Sequence, residues 1–201
     1  LLAAERQKVM QVTLEAIAAI AKTEEAKDSY TNAHSERVAD TSVKIAKKLG
    51  WSEEKVEKLR YQALLHDIGK IGIPDRILNK HKNLTEKEYG IMKQHVKIGA
   101  DILKNLSTME GLEEGALYHH ERWDGKGYLS GKKREEIPEA ARIIAVADTY
   151  DAMSFERIYR GSFDESHVTE EIRCGRGTQF DPKVADALLS ILAEQSDAQK
   201  N

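Results

Sequence analysis

The sequence predicts an all-α domain, and three features of the 201-residue chain support this prediction. Apolar residues recur every three or four positions, as in the stripe Val38, Ile45 and Leu49, which is the period of an amphipathic helix. Only three prolines occur, so few positions would interrupt a helix. No sustained alternation of apolar and polar residues is present, and we therefore expect essentially no β-sheet.

Capping residues indicate where the helices begin. Thr85 and Glu88 have the spacing of a capping box. Asp181 before Pro182 combines a favourable N-cap with a first-turn proline. The glycine-containing segment 122–138 predicts a loop. We expect helices over residues 2–25, 32–49, 53–67, 86–105, 109–121, 139–154, 164–173 and 182–194.

The N-terminal helix allows two interpretations. It is either an additional core helix or the end of a signalling helix that follows an upstream domain. The chain starts at Leu1 without a secretory signal, which favours a piece of a longer protein. We therefore expect an N-terminal helix and linker over 1–27, a main domain over 28–196 and a polar tail over 197–201. Helical arms of this kind often pair, so a homodimer is a further expectation.

The composition excludes several classes of protein. Hydrophobic residues make up 40% and charged residues 32% of the chain, the balance of a globular domain. The formal net charge of −3 provides no basic field for a DNA or RNA polymer. No apolar run approaches the roughly 20 residues of a membrane span. The single cysteine, Cys174, cannot form an internal disulfide, so we expect a cytoplasmic protein.

Five of the seven histidines have unusual sequence surroundings. These five are His34, His66, His95, His119 and His120. His95, for example, shares a predicted apolar stripe with Ile91 and Ile102. A single such histidine is more often a core residue satisfied by a hydrogen bond. However, Asp67 and Asp148 also adjoin apolar runs, where an unpaired carboxylate is costly to bury. Together these residues predict a metal site.

Seven imidazole and carboxylate donors exceed what one ion with an open position can accept. We therefore expect two divalent ions that share Asp67. The first ion would be bound by His34, His66, Asp67 and Asp148, and the second by Asp67, His95, His119 and His120. Such a pair lowers the pKa of bound water and neutralises a phosphodiester. Iron or manganese suits these donors, but zinc and nickel also bind imidazole, and the order of affinities alone would favour them.

Lys70 follows Asp67 by three residues, one helical turn, so its ammonium can reach the same cavity. We expect it to hold the phosphate or to protonate the leaving oxygen. Asp67 and Lys70 are therefore the candidate catalytic residues. A solvated surface lysine is the alternative interpretation.

Five segments resemble, in order, the motifs of the HD-GYP domain family. They are 66–70 (HDIGK), His95, 119–128 (HHERWDGKGY), 147–152 (ADTYDA) and 177–182 (GTQFDP). The resemblance implies an HD-domain helical bundle with a C-terminal GYP-type extension. It also implies a binuclear or trinuclear iron or manganese centre that hydrolyses cyclic di-GMP to linear pGpG and often to GMP. Some members act on cyclic GMP-AMP, and the proposed ligands fall on the family's ligand positions.

The same resemblance assigns substrate-binding positions. Tyr128 matches the tyrosine that shapes the substrate pocket, and Asp151, Arg157 and Arg160 match positions that line the phosphate and base sites. The two arginines could present guanidinium groups to the phosphates of a dinucleotide. The alternatives are a tyrosine that only pins its loop and a surface turn in which the arginines pair with Glu156.

Three departures from the family pattern affect the interpretation. Leu129 replaces the proline of Gly-Tyr-Pro, which leaves the loop less constrained. The segment 154–160 (SFERIYR) differs from the usual motif and puts substrate preference in doubt. Tyr30 stands where three-metal members have a glutamate, which favours two ions.

A cyclic di-GMP phosphodiesterase is the leading hypothesis, with a sensory or receiver domain expected upstream. A second hypothesis is a catalytically weak module that senses the dinucleotide or docks a partner. A third is a phosphohydrolase for cyclic GMP-AMP, a mononucleotide or a guanosine alarmone.

Overall fold

The structure is a computed structural model that describes residues 33–106, 109–159 and 165–199. In the N-terminal region it describes residues 5, 9, 12, 16, 19–20 and 22–23, all of which are helical and exposed. The backbone alone is described at residues 155–159, 165 and 199. The N-terminal helix as a continuous element therefore stays a prediction, and Tyr30 lies outside the described residues.

Nine α-helices occur in the described ranges. They are α1 (His34–Lys48), α2 (Glu53–Leu64), α3 (Asp75–Leu78), α4 (Glu86–Met92), α5 (His95–Leu103), α6 (Glu113–Tyr118), α7 (Glu139–Tyr159), α8 (Glu165–Gly175) and α9 (Pro182–Gln199). Two 3₁₀ segments, Ile68–Gly72 and Arg134–Glu136, lie between them. No strand is present among the described residues, where Arg176 and Phe180 form an isolated bridge. The predicted all-α fold is confirmed.

The core forms where α1 packs against α2 and α7, and α5 packs against α6 and the first 3₁₀ segment. Val38 and Ile45 of α1, Leu59 of α2 and Ile144 of α7 are fully buried. α9 covers α1 and α8, with Leu188 in the same core. None of the helices in the described ranges has the length and apolarity needed to cross a bilayer.

One predicted helix, 86–105, is divided into α4 and α5. The stripe proposed from it is wrong, because Ile91 and Ile102 are 40% and 39% exposed. Instead, α5 buries His95, Val96 and the residues one turn further on. The division places His95 at the first position of α5. There, Nδ1 of its ring donates a hydrogen bond to the carbonyl oxygen of Met92, the last residue of α4. The helical register changes at the break, so a continuous stripe across it could not be correct.

Gly69 allows the first 3₁₀ segment to lie directly on α5. A Cβ atom at this position would be 1.9 Å from the carbonyl oxygen of His95 and 2.5 Å from the backbone nitrogen of Gly99. Only glycine can therefore occupy the position with this backbone. The close approach brings Asp67, just before the 3₁₀ segment, beside His95.

Candidate metal centre

Three buried histidines are oriented by the backbone of the preceding turn. The Nδ1 atoms of His66, His95 and His119 lie 2.7, 2.8 and 3.0 Å from carbonyl oxygens three or four residues earlier. A carbonyl oxygen only accepts hydrogen bonds, so each Nδ1 carries a proton, and Nε2 is the ring nitrogen left to face a metal. The His119 ring lies 5.0 Å from that of His66 and 5.5 Å from that of His95. The three rings are therefore concentrated in one region.

Asp67 lies among these nitrogens. Its Oδ1 is 3.4 Å from Nε2 of His95 and 3.7 Å from Nε2 of His119. Its Oδ2 is 3.4 Å from Nε2 of His66 and 2.7 Å from Nζ of Lys70. The two oxygens of one carboxylate thus face two different sets of imidazoles.

The potential ligands fall into two groups in the described part of the chain. In one group, the ligand atoms of Asp67, His95, His119 and His120 all lie within 4.8 Å of one another. In the other group, the same holds for His34, His66 and Asp67. Oδ1 of Asp148 adjoins this second group, 3.2 Å from Nε2 of His34 and 4.0 Å from Nε2 of His66. The structure therefore brings together all of the residues predicted as metal ligands.

The protonation states in the first group suit a metal. Burial would raise the pKa of Asp67, but Lys70 and the surrounding imidazoles outweigh it and hold that pKa well below its usual value. Burial lowers the pKa of His119 well below its usual value. Burial is also the main cause that lowers the pKa of His120 to about 4. Asp67 is therefore a carboxylate, and His119 and His120 are neutral imidazoles, the forms that bind metal ions.

His34 differs because its Nδ1 pairs with a carboxylate, 2.7 Å from Oδ2 of Asp151. Arg37 donates to the two oxygens of Asp151 at 2.6 and 2.9 Å. Burial alone would lower the pKa of His34, but hydrogen bonds to Asp148 and Asp151 raise it to about 10. Without metal, His34 is therefore protonated at neutral pH. A metal ion at Nε2, the nitrogen that faces Asp148, has to displace the proton there.

The cluster fits metal ions by an independent criterion. Oδ1 of Asp67 and Nε2 of His66, His95 and His119 are buried and have no hydrogen-bond partner. Buried polar atoms are nearly always partnered, because desolvation without a partner is costly. Metal coordination would satisfy all four atoms, and imidazole and carboxylate donors suit first-row transition metals.

The predicted substrate-binding residues have different surroundings. Tyr128 stacks on the ring of His120, with centroids 4.8 Å apart and planes 29° apart, so it borders the cluster. Asp151 is directed toward His34 and Arg37 in α1. The side chain of Arg157 and the whole of Arg160 lie outside the described residues. Their predicted roles stay predictions.

Two supporting residues were missed by sequence reasoning. Arg37 lies one helical turn after His34, and that spacing could have indicated a shared face.

Glu121 is buried, and its Oε1 accepts hydrogen bonds from the backbone nitrogens of Ser130 and Gly131 at 2.7 and 3.2 Å. It thereby fixes the loop that carries Tyr128. No spacing rule links a glutamate to amides nine and ten residues later.

Comparison with known proteins identifies related sequences. A family model described as HD domain matches residues 15–184. A cyclic di-GMP phosphodiesterase of Thermotoga maritima is 45% identical over 175 residues, covering 86% of this chain and 48% of that protein. The 3'3'-cGAMP-specific phosphodiesterase 2 of Vibrio cholerae is 36% identical over 172 residues, covering 85% of this chain and 33% of that protein. The chain spans half or less of the length of these relatives.

The fold has a counterpart among solved structures. A cyclic GMP-AMP specific phosphodiesterase of Vibrio cholerae superimposes with a TM-score of 0.71 at 20% identity, over 90% of this chain and 49% of that one. The structural match supports the helical bundle, and the family model spans the residues of the histidine cluster. The chain therefore belongs to the HD domain family and carries the ordered motifs of its HD-GYP members.

Proposed function

We propose that the protein is a metal-dependent phosphodiesterase that hydrolyses cyclic di-GMP. The observation that carries the proposal is the cluster of imidazoles around Asp67, with the Lys70 ammonium 2.7 Å from its Oδ2. The name of the 45%-identical relative supports the same substrate. We propose residues 28–196 as the catalytic unit, with residues 1–27 as a connection to an upstream sensory or receiver domain.

Two ions fit the donor set better than one. Each oxygen of Asp67 faces its own imidazoles, which supports a bridging role. Bound ions would supply activation of water and neutralisation of phosphodiester charge. Iron or manganese is the proposed occupant, because the donors are imidazoles and carboxylates without thiolates.

The residues of the chain would hold and orient the reacting groups. The backbone-anchored rings of His66, His95 and His119 keep their Nε2 atoms in fixed directions. Lys70 is positioned to bind a non-bridging phosphate oxygen and to give a proton to the leaving 3' oxygen as the attacking water oxygen bonds to phosphorus. Tyr128 covers one face of His120 and limits water there. The first product would be linear pGpG, and GMP would follow from a second hydrolysis.

Cyclic GMP-AMP is the second candidate substrate, because a relative that is 36% identical is named as specific for it. The two substrates differ in one base and share the phosphodiester that meets the metal centre. Arg157 and Arg160 are the proposed residues for discrimination, together with Tyr128.

The test is turnover of both dinucleotides by protein reconstituted anaerobically with iron or manganese, with metal content measured on the same sample. We expect about two ions per chain and conversion of cyclic di-GMP to pGpG. His66→Ala should lose metal and turnover. His167→Ala, a change to a half-exposed histidine of α8, should lose neither. Full metal loading without hydrolysis of either dinucleotide would contradict the proposal and favour a sensing or docking module.

A further inference from the structure

Beside the metal centre, Tyr128 forms a corner with Tyr89 and Lys93, two residues that have no role in the proposed hydrolysis. Tyr89 of α4 and Lys93 are one helical turn apart, and the amide of Lys93 donates to the carbonyl oxygen of Tyr89 at 3.0 Å. The Lys93 Nζ lies 4.4 Å from the ring centre of Tyr89 and 5.0 Å from that of Tyr128. The two rings are 6.3 Å apart and inclined by 76°.

This corner is continuous with the histidine cluster. The ring of Tyr128 lies near the ammonium of Lys93 and also stacks on His120, with ring centres 4.8 Å apart. His120 in turn lies 5.2 Å from the ring of His95. A ligand that has one phosphate at the metal centre and extends past His120 would therefore contact Tyr128 and Lys93.

The corner formed by Tyr89, Lys93 and Tyr128 is accessible to a ligand from solvent. Tyr89 is 46% exposed and Leu129, next to Tyr128, is 45% exposed. Lys70 and Arg37 each pair with a carboxylate, whereas the Lys93 ammonium contacts two aromatic rings and pairs with no carboxylate in the described part of the chain. A cation held over ring faces keeps its charge available for an anion, because the rings attract it without neutralising it.

We propose that Tyr89 and Lys93 form a substrate-positioning subsite, in which Tyr89 stacks on a purine base and Lys93 pairs with the phosphate that is not cleaved. The inference rests on the proposed function. A cyclic dinucleotide has two phosphodiesters and two bases, and the metal centre engages only one phosphodiester. An aromatic face suits any base, and a lysine ammonium is a flexible point charge suited to a phosphate.

The test compares the turnover of two substrates by the metal-loaded protein. Cyclic di-GMP has the second phosphate and the bases, and methyl p-nitrophenyl phosphate has neither. We expect Tyr89→Leu and Lys93→Met each to raise KM for cyclic di-GMP by about tenfold. Turnover of the small diester and metal content should not change. Tyr89→Phe and Lys93→Arg should restore KM, because they keep the ring and the charge.

Lys55→Met is the matched control, since Lys55 also lies over an aromatic ring, 6.0 Å from the centre of Trp51, at the start of α2. It should leave both substrates unaffected. Equal losses on both substrates, or an unchanged KM for cyclic di-GMP in Tyr89→Leu and Lys93→Met, would overturn the subsite. If the wild-type protein cleaves only the small diester, both the proposed function and the subsite fail. If the wild-type protein cleaves cyclic di-GMP and the variants do so equally well, only the subsite fails.

Discussion

Asp151→Asn should weaken the binding of one metal ion and leave the other nearly unchanged. Asp151 accepts hydrogen bonds from His34 at 2.7 Å and from Arg37 at 2.6 and 2.9 Å. A carboxylate that holds a ligating imidazole fixes its orientation and makes it a better donor, and loss of such a partner typically costs about 10–100-fold in metal affinity. An asparagine oxygen can still accept from His34, so we expect a loss near the lower limit, about 1.4 kcal/mol.

Competition with a chromophoric chelator measures the affinity of each ion, and thermal unfolding with and without metal gives an independent readout. The increase in Tm caused by metal should shrink in Asp151→Asn, because stabilisation by a ligand depends on its affinity. Asp40→Asn is the control, since Asp40 lies on α1, the helix that carries His34 and Arg37, and pairs with Arg60 at 2.6 Å on the surface. If both ions keep wild-type affinity while the Tm of metal-free protein falls, Asp151 only anchors α7 to α1 and the reasoning is refuted.

Four further predictions concern the same centre and the backbone contact beside it. Lys70→Met should retain the ions and lose at least about 100-fold in kcat, measured with cyclic di-GMP, and unchanged kcat would exclude its role in proton transfer. Metal affinity should rise by up to about tenfold per pH unit in chelator competition, since His34 with a pKa of about 10 must lose a proton. The same raised pKa of His34 also stabilises the metal-free protein, and this contribution is complete below pH 6.5, the pKa of the unfolded state. The Tm of metal-free protein should therefore fall as the pH rises from 6.5 toward 10. A Tm that rises over this range would contradict the raised pKa of His34. Gly69→Ala should destabilise the protein by about 3 kcal/mol or more in denaturant unfolding, whereas Gly90→Ala, with no atom within 4 Å of the added carbon, should be neutral or slightly stabilising.

The sequence predicted the helical class and the members of the histidine cluster because both depend on local patterns. Residues such as His66 and Asp67 adjoin apolar runs, and an apolar run predicts burial without any knowledge of the partner helix. The stripe through Ile91 and Ile102 was wrong because it assumed one continuous helix, whereas the chain divides into α4 and α5, and the His95 ring donates a hydrogen bond to the carbonyl oxygen of Met92 across the break. Local periodicity carries no signal for such a bond.

The partners of the cluster were harder to predict than its members. Asp151 and His34 are 117 positions apart in sequence, and only the packing of α1 against α7 brings them together. The resemblance to a family placed Asp151 among the substrate-binding residues, whereas its contacts are with His34 and Arg37. The corner formed by Tyr89, Lys93 and Tyr128 likewise requires α4 and the loop after α6 to meet.

The orientation of the histidines has a consequence for how this centre can change by mutation. His66, His95 and His119 are held by backbone carbonyl oxygens, and a substitution at the residue that supplies a carbonyl keeps that carbonyl. The anchor of His34 is the side chain of Asp151, which one nucleotide change can remove. Evolution can therefore adjust one metal position in a single step, while the other resists drift as long as its helices stay folded.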